Sequence, residues 1–324
     1  MNRFRPRGVW GFILRRLLLG ILVLILVSVL VFLATQALPG DPARAILGRN
    51  ANPASLAALR HQLHLDRPVA DQYLTWVTGL LRGNLGRSLA AQEPVSTLLS
   101  PKLVNSAVLV AIAAVLSIPV SIAIGAWAAL KREKVFDQSS SNLMLLLAAL
   151  PEFVVALVLV IVFATTVFHV LPAISTVPPG SRPWNNWVAL VLPTITLVIA
   201  VAPYVSRIMR ASMIEVLESD YVEMARLKGL PERTVLIRHA LPNALGPVFQ
   251  VIALNLAYLA GGIIFIEFVF NYSGIGGAIQ EAVVNHDLPV VQALAMLIAA
   301  VYVVVNLLAD VATILVTPRL RTRL

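Results

Sequence analysis

Residues 215–243, EVLESDYVEMARLKGLPERTVLIRHALPN, form a stretch that is polar, mixed in charge and helix-prone. Asp220, followed three residues later by Glu223, has the spacing of a capping box at a helix start. Gly229 suits the position just beyond a helix end, because a residue without Cβ adopts left-handed backbone angles at little cost. The pattern predicts a helix that begins at Asp220 and is ended by Gly229.

A second helix is expected to follow within the same stretch. Pro231 predicts its start, since proline fits the first helical turn, and Leu241-Pro242 predicts its end. The two helices would form a hairpin between two apolar runs. Its basic residues would permit a DNA-binding helix-turn-helix, but nearby acidic residues offset much of that charge. Nucleic acid is therefore not an expected partner. The simplest alternative to a functional hairpin is a structured loop that only connects two spans.

Six apolar stretches surround this hairpin, and each is long enough to cross a bilayer as a helix. A bilayer core of about 30 Å requires about 20 apolar residues, because every backbone polar group must be paired inside the segment. The composition agrees, with 59% hydrophobic and 13% charged residues, unlike soluble domains. An all-α integral membrane protein with about six transmembrane helices is expected. The predicted spans are Phe12–Leu38, Leu103–Leu130, Ser140–Val167, Trp187–Met209, Val248–Phe270 and Leu288–Val316.

The distribution of Lys and Arg predicts the orientation in the membrane. With the N-terminus inside, most basic residues fall in cytoplasmic segments, and the short outer loops carry Arg182 alone. The segment 39–102 also carries basic residues, but long translocated loops largely escape this rule. Both termini are expected to face the cytoplasm, and the formal charge of +9 is explained without nucleic acid.

The long segment between the first two spans is expected to contain two short amphipathic helices. Asn52-Pro53 is a typical N-cap and first-turn pair. Arg67-Pro68 predicts the start of the second helix, and Gly83 predicts its end. One face of that helix carries Tyr73, Trp76, Val77 and Leu80. These helices are expected to lie on or over the extracytoplasmic mouth of the helix bundle. An equally good alternative is that they only anchor the segment to the membrane surface, with no role in handling substrate.

The sequence offers little support for an enzyme. The chain has no Cys, which excludes disulfides and thiolate chemistry, and no G-x-S-x-G or H-E-x-x-H motif occurs. It also lacks the G-x-x-x-x-G-K-[ST] phosphate loop, so it is not expected to hydrolyse ATP. His61 and His64 have helical metal-ligand spacing near Asp66, but a solvated helix face explains them better. No cofactor or metal is expected on this chain.

Carboxyl groups within apolar spans are candidate functional residues, because an ionised side chain there costs several kcal/mol unless it is paired or hydrated. Glu267 lies deep in its span and is a candidate for the substrate path or the gate, with a structural hydrogen bond to another helix as the alternative. Glu152 follows Pro151 and is a candidate to accept a substrate amino group, or else to cap a broken helix. Asp310 belongs to the same class.

The hairpin resembles the signature of ABC importer permeases, in which E-A-A, three residues, G, nine residues and I-x-L-P mark the coupling helix. The matching residues here are Glu223, Ala225, Gly229, Leu241 and Pro242, with Met224 and His239 as mild departures. The resemblance implies that this hairpin, opened by Asp220, docks into a groove of an ATPase subunit and transmits its closure.

The rest of the chain is similar to the dipeptide/oligopeptide/nickel class of these permeases, specifically the subunit with a large extracytoplasmic loop after its first helix. The similarity runs from about Arg15 to Arg321, and His64, Asn84 and Ser273 depart from it within loops. The matching segments are Leu38–Ala43, Leu63–Pro68, Arg82–Ser88, Gly274–Gly276 and Asp287–Pro289, together with Gly262, Glu267 and Phe270.

The resemblance implies four regions: an N-terminal segment with the first transmembrane helix, 1–38; an extracytoplasmic loop, 39–102; a five-helix permease core containing the coupling hairpin, 103–316; and a cytoplasmic tail, 317–324. It implies a multi-pass protein of the bacterial cytoplasmic (inner) membrane. The implied partners are a second homologous permease, two ABC ATPase subunits that hold ATP and Mg, an extracytoplasmic substrate-binding protein and membrane lipid.

The implied function is ATP-driven import of di- or oligopeptides by alternating access. A secondary transporter or channel that acts without an ATPase is the alternative from another class. The hairpin would have no purpose in such a protein. The sequence leaves the cargo open among dipeptides, oligopeptides, glutathione-like peptides and nickel complexes.

Overall fold

The computed structural model describes residues 9–37, 47, 52–62 and 66–316. Within these ranges the chain is built from helices and loops, with an isolated antiparallel bridge between Arg87 and Pro94. Its helices are α1 (Val9–Ala37), α2 (Pro53–Gln62), α3 (Val69–Leu81), α4 (Val95–Leu130), α5 (Val135–Ala149), α6 (Glu152–Val160), α7 (Trp187–Leu217), α8 (Asp220–Leu227), α9 (Glu232–Thr234), α10 (Leu241–Val269), α11 (Ile275–Val284) and α12 (Leu288–Val316).

The helices account for the expected membrane spans. In the described ranges, four helices are individually long and apolar enough to cross a bilayer, and up to six spans result if two bent helix pairs each count as one. The predicted fold class of an all-α multi-pass membrane protein is therefore confirmed. The tails 1–8 and 317–324 lie outside the described residues, so the cytoplasmic placement of both termini stays a prediction.

The third predicted span, Ser140–Val167, is not a single helix. The segments Val135–Ala149 and Glu152–Thr165 meet at 104°, and Leu150 between them has extended backbone angles (φ −87°, ψ 130°). Pro151 explains the break, because the ring of a proline disfavours helical angles in the preceding residue. Pro119 and Pro203 remain inside continuous helices. The second span also begins earlier than predicted, at Val95 instead of Leu103.

The core of the bundle lies between α4, α7 and α10. Leu109 on α4, Leu197 and Met209 on α7, and Val248 on α10 are fully buried there. Gly125 permits the close approach of α4 to α7, because a Cβ at this position would lie 2.7 Å from the Cβ of Met209. Close van der Waals packing of these side chains, which drives association of helices within a membrane, orients α7 and the hairpin that follows it.

The segment between α1 and α4 packs against α1 through the predicted aromatic face of α3. The rings of Tyr73 and Trp76 lie 5.4 Å and 5.8 Å from the ring of Phe32. The start of α2 is also as predicted, because the Ser55 N–H donates to the Asn52 side-chain oxygen at 2.7 Å. Both short helices are therefore confirmed.

Two ion pairs fasten helices that are distant in sequence. Arg16 on α1 lies 3.0 Å from Asp310 on α12, so this intramembrane carboxylate has a basic partner. Arg210 on α7 forms two hydrogen bonds with the buried Asp137 at the start of α5, one of them 2.6 Å between Nη2 and Oδ2. The second pair holds α5 against α7 although α5 is separated from α6 by the sharp bend.

Candidate functional site

The first helix of the hairpin forms where the sequence predicts it, but its N-terminus is built differently. Ser219 is the N-cap residue and makes no side-chain capping hydrogen bond. Asp220 is therefore the first helical residue, one position too late to cap, and the predicted capping box with Glu223 does not form. Both carboxylates still lie in the first turn, where the partial positive charge of the helix N-terminus favours them.

The C-terminus of α8 confirms the predicted role of Gly229. Gly229 has φ +74°, its N–H donates to Arg226 at 2.9 Å, and the Leu230 N–H donates to Ala225. This is the Schellman arrangement, which satisfies the last carbonyl groups of a helix. The chain consequently reverses within two residues and enters the second arm.

The second arm begins at Pro231 as predicted, but it does not end at Leu241-Pro242. A π-helical segment, Val235–Ala240, joins it directly to α10. Pro242 is tolerated because it occupies the first turn of α10, where its missing N–H disrupts little. The second arm is thus continuous with a membrane span, so force on the hairpin reaches α10 through helical backbone.

The inner face of α8 is packed against the end of α7. Val222, Ala225 and Val235 are buried in a small apolar cluster with Val216 and Leu217. A salt bridge of 2.8 Å between Arg226 and Glu232 joins the two arms. The Arg226 guanidinium donates hydrogen bonds to the Glu232 carboxylate, and these bonds raise the pKa of Arg226. The hairpin is accordingly a folded unit fixed to α7.

The face of α8 that points away from α7 is apolar and exposed. Tyr221 is 46% exposed, Met224 58% and Leu227 75%, and their spacing places them on one side of the helix. We name these three residues the α8 face. Sequence reasoning missed it, although the spacing of three residues was the available signal. Such an apolar surface on a polar hairpin is typical of a protein-docking site.

Glu152 lies where two helix breaks meet. It is the first residue of α6 after the 104° bend, and α10 bends by 56° between Leu256 and Gly261. Tyr258, inside that second bend, donates to Glu152 Oε2 at 3.3 Å. A Cβ on Gly262 would lie 2.9 Å from the carboxylate oxygens, so this glycine makes room for them.

Glu267 lies in a buried hydrogen-bonded cluster at the other end of α10. Its side chain is fully buried and accepts hydrogen bonds from the Ser106 hydroxyl on α4 and from the Gly276 N–H at 2.6 Å. The Ser106 hydroxyl oxygen also accepts from the Ile275 N–H at 3.0 Å. Glu267 therefore connects α4 and α10 to the first turn of α11.

The predicted site residues fall into four separate places. Asp220, Glu223 and Gly229 are exposed on the hairpin, whereas Ala225 is buried under it. Leu241 and Pro242 begin α10. Glu152 lies at the start of α6 and Glu267 near the end of α10. Among the described residues no group of three or more acidic or histidine side chains is placed to hold a metal ion, and His64 lies outside them.

Two family models together cover almost the whole chain. Residues 121–322 match the model described as binding-protein-dependent transport system inner membrane component. Residues 9–123 match the model for the N-terminal part of such membrane components.

Curated relatives match over nearly their full length. The chain is 36% identical to the probable peptide ABC transporter permease protein y4tP of Sinorhizobium fredii, over 96% of this chain and 99% of that protein. It is 34% identical to the glutathione transport system permease protein GsiC of Salmonella paratyphi A, again over 96% and 99%. Among solved structures, an amino acid ABC transporter with histidines aligns with a TM-score of 0.47 and 17% identity, over 71% of this chain and 95% of that one.

Proposed function

Because the chain belongs to the family of binding-protein-dependent transport system inner membrane components, we propose that it carries peptides through the inner membrane as one permease of an ATP-driven importer. It is a multi-pass inner-membrane permease of the ABC importer class. Peptide cargo is supported by the relatives, which are named for transport of peptides or of glutathione, itself a peptide. The substrate-binding protein would select between dipeptides and longer peptides.

The observation that carries the proposal is the α8 face. Three large apolar side chains stand on a hairpin whose opposite face is packed against α7. Burial of these side chains against a partner would stabilise the complex by about 25 cal/mol per Å² of apolar surface removed from water. An ATPase subunit with an apolar groove is the partner that this surface fits, and ATP and Mg would be bound there.

The hairpin residues divide into docking and supporting roles. Asp220 and Glu223 flank the α8 face and would contact the ATPase through their charges. Ala225 and Gly229 give the hairpin its shape, since one packs under α8 and the other ends it. Leu241 and Pro242 begin the helix that carries a movement of the hairpin into the membrane. Closure of two ATPase subunits would therefore move α10.

The substrate path is proposed to pass the meeting point of the two bends. Broken helices leave backbone polar groups unpaired within the membrane, which is tolerated where they line a cavity. Glu152 lies at that point and is partly accessible, so it would contact substrate. Glu267 would act on the gate indirectly, by holding α11 on the outer end of α4 and α10.

The remaining partners follow from this division of labour. A second homologous permease would complete the path, two ABC ATPase subunits would supply energy, and an extracytoplasmic substrate-binding protein would deliver the peptide. Lipid would cover the remaining apolar surface. The described helices include broken spans, which secondary transporters also use, so transport without an ATPase is the second candidate.

Reconstitution of the complete complex tests the proposal. The complex is purified from native membranes through a tag on this chain and placed in liposomes with substrate-binding protein loaded with a radiolabelled tripeptide. We expect uptake that requires ATP and stops with a non-hydrolysable analogue. Uptake at the same rate without ATP, driven by an ion gradient, would establish the secondary-transporter alternative.

A further inference from the structure

A strip of polar side chains runs beside the meeting point of the bends. Tyr204 on α7 and Tyr258 on α10 are 47% and 51% exposed, and the two helices pack against each other. Tyr258 donates to Glu152 at one end. Arg207 lies at the other end, exposed and three residues beyond Tyr204. We name these four residues the polar strip.

The geometry of α7 fixes the spacing of the basic end. Three residues correspond to a rise of about 4.5 Å along a helix, within one turn, so Arg207 follows Tyr204 on nearly the same face. The structure gives Arg207 no ion pair among the described residues, in contrast to Arg210, which is held by Asp137. Arg207 is therefore a basic group available to a ligand.

The polar strip presents opposite charges at its two ends. A carboxylate recognises an ammonium group, a guanidinium binds a carboxylate through two parallel hydrogen bonds, and tyrosine hydroxyls bond to amide groups between them. Exposed groups of this kind are costly against lipid hydrocarbon, which favours a hydrated path. A short peptide with free termini carries an ammonium, amides and a carboxylate in that order.

We propose that the polar strip binds a zwitterionic peptide during its passage, with Glu152 on the free ammonium group and Arg207 on the free carboxylate. This assignment rests on the proposed peptide function. It adds Arg207 and both tyrosines as specificity-determining residues, and it predicts that the permease itself distinguishes peptides with a free carboxyl end from their amides.

Arg207 also has a simpler role available, since basic residues near the end of a span fix topology. That role would make its replacement affect every cargo alike. Binding of the carboxylate would instead make the effect depend on the chemistry of the cargo. The two roles therefore differ in the ratio of uptake rates for two peptides, not in the rate for one.

The test uses the complete complex in liposomes, with trialanine and trialanine amide each supplied at a concentration that saturates the substrate-binding protein. Initial ATP-dependent uptake is compared for wild type, Arg207→Gln, Arg207→Lys and Arg82→Gln, whose arginine is exposed at the end of α3. We expect wild type to favour trialanine, and Arg207→Gln to lower the trialanine-to-amide ratio about tenfold, as expected for a lost charge-assisted hydrogen bond. Arg207→Lys should keep most of the ratio, and Arg82→Gln all of it.

Three results would overturn the assignment while leaving peptide import intact. These are a wild-type ratio near one, an unchanged ratio in Arg207→Gln, and equal losses for Arg207→Gln and Arg207→Lys. Even if a variant fails to assemble, which co-purification of the other subunits reveals, a wild-type ratio near one still overturns the assignment. Failure of wild type to take up either peptide with ATP would instead refute the proposed function.

Discussion

The carboxylate of Glu267 near the end of α10 accepts a 2.6 Å hydrogen bond from the backbone N–H of Gly276 in the first turn of α11. A helix N-terminus has unpaired N–H groups and a partial positive charge, so a carboxylate there is favourable even when buried. The Ser106 hydroxyl supplies a further bond from α4. Three helices are thus joined through one side chain at the end of α10.

This cluster leaves no room for a side chain at Gly274. A Cβ there would lie well inside van der Waals distance of the Glu267 carboxylate. We therefore expect Gly274→Ala to lower the apparent Tm of the purified complex and to reduce uptake. Gly277→Ala is the matched control, because its Cβ would make an ordinary contact of 3.5 Å. Equal Tm values for both variants would contradict the described packing.

Removal of the charge of Asp137 should destabilise the junction of α5 and α7. Asp137 is 3% exposed, and asparagine would leave the Arg210 guanidinium without its carboxylate. We expect Asp137→Asn to cost about 2 kcal/mol, the typical value of hydrogen bonds to charged groups, measured by thermal unfolding of the detergent-solubilised protein. The control is Glu133→Gln, because Glu133 is exposed and its pair with Arg132 is a surface pair of little value. A similar small loss in both would argue against the buried pair.

The loop that precedes α4 should become more mobile when Asp287 is changed. Its buried carboxylate accepts hydrogen bonds from the Ser88 hydroxyl and from the backbone N–H of Leu89 at 3.0 Å. Asparagine would present an N–H₂ group to one of these donors. We expect Asp287→Asn to speed amide hydrogen exchange of residues 86–94 by about tenfold or more, with Glu93→Gln, exposed in the same loop, unchanged. Unchanged hydrogen exchange of these residues in Asp287→Asn would contradict the role of Asp287 in holding the loop.

The hairpin should open more often when Gly229 is replaced. An alanine at φ +74° costs about 1 kcal/mol relative to glycine because of its Cβ, which raises the open population about fivefold. We expect faster trypsin cleavage after Lys228 in Gly229→Ala. Gly246→Ala is the control, since nothing lies within 4 Å of its added Cβ. Cleavage of both variants at the wild-type rate would count against the Schellman turn.

Local patterns in the sequence predicted the elements that local physics determines. The end of α8 at Gly229, the capped start of α2 and the aromatic face of α3 each depend on residues a few positions apart. The class of protein, its membrane location and its family were confirmed as well. Orientation, region boundaries, partner subunits and the roles of individual residues stay predictions.

Contacts between distant segments had no such signal. Ser88 and Asp287 are 199 positions apart, and Ser106 and Glu267 are 161 apart. The break at Pro151 was predicted only as an alternative, because Pro119 and Pro203 lie in equally apolar runs and remain helical. Which proline breaks a membrane helix depends on what its neighbours can satisfy. The sequence also predicted that the second arm of the hairpin ends at Pro242, where the helix in fact continues. The reason is the same, since neighbouring groups decide whether a proline ends a helix.

The most direct test of the central claim is co-purification of the tagged chain with its ATPase subunits, quantified by mass spectrometry. Wild type is compared with Met224→Asp, which places a charge in the α8 face, and with Met224→Leu, which keeps that face apolar. We expect wild type and Met224→Leu to retain the ATPase and the second permease, and Met224→Asp to lose only the ATPase. Retention of the ATPase by Met224→Asp at the wild-type level, or its absence from wild type, would contradict this claim.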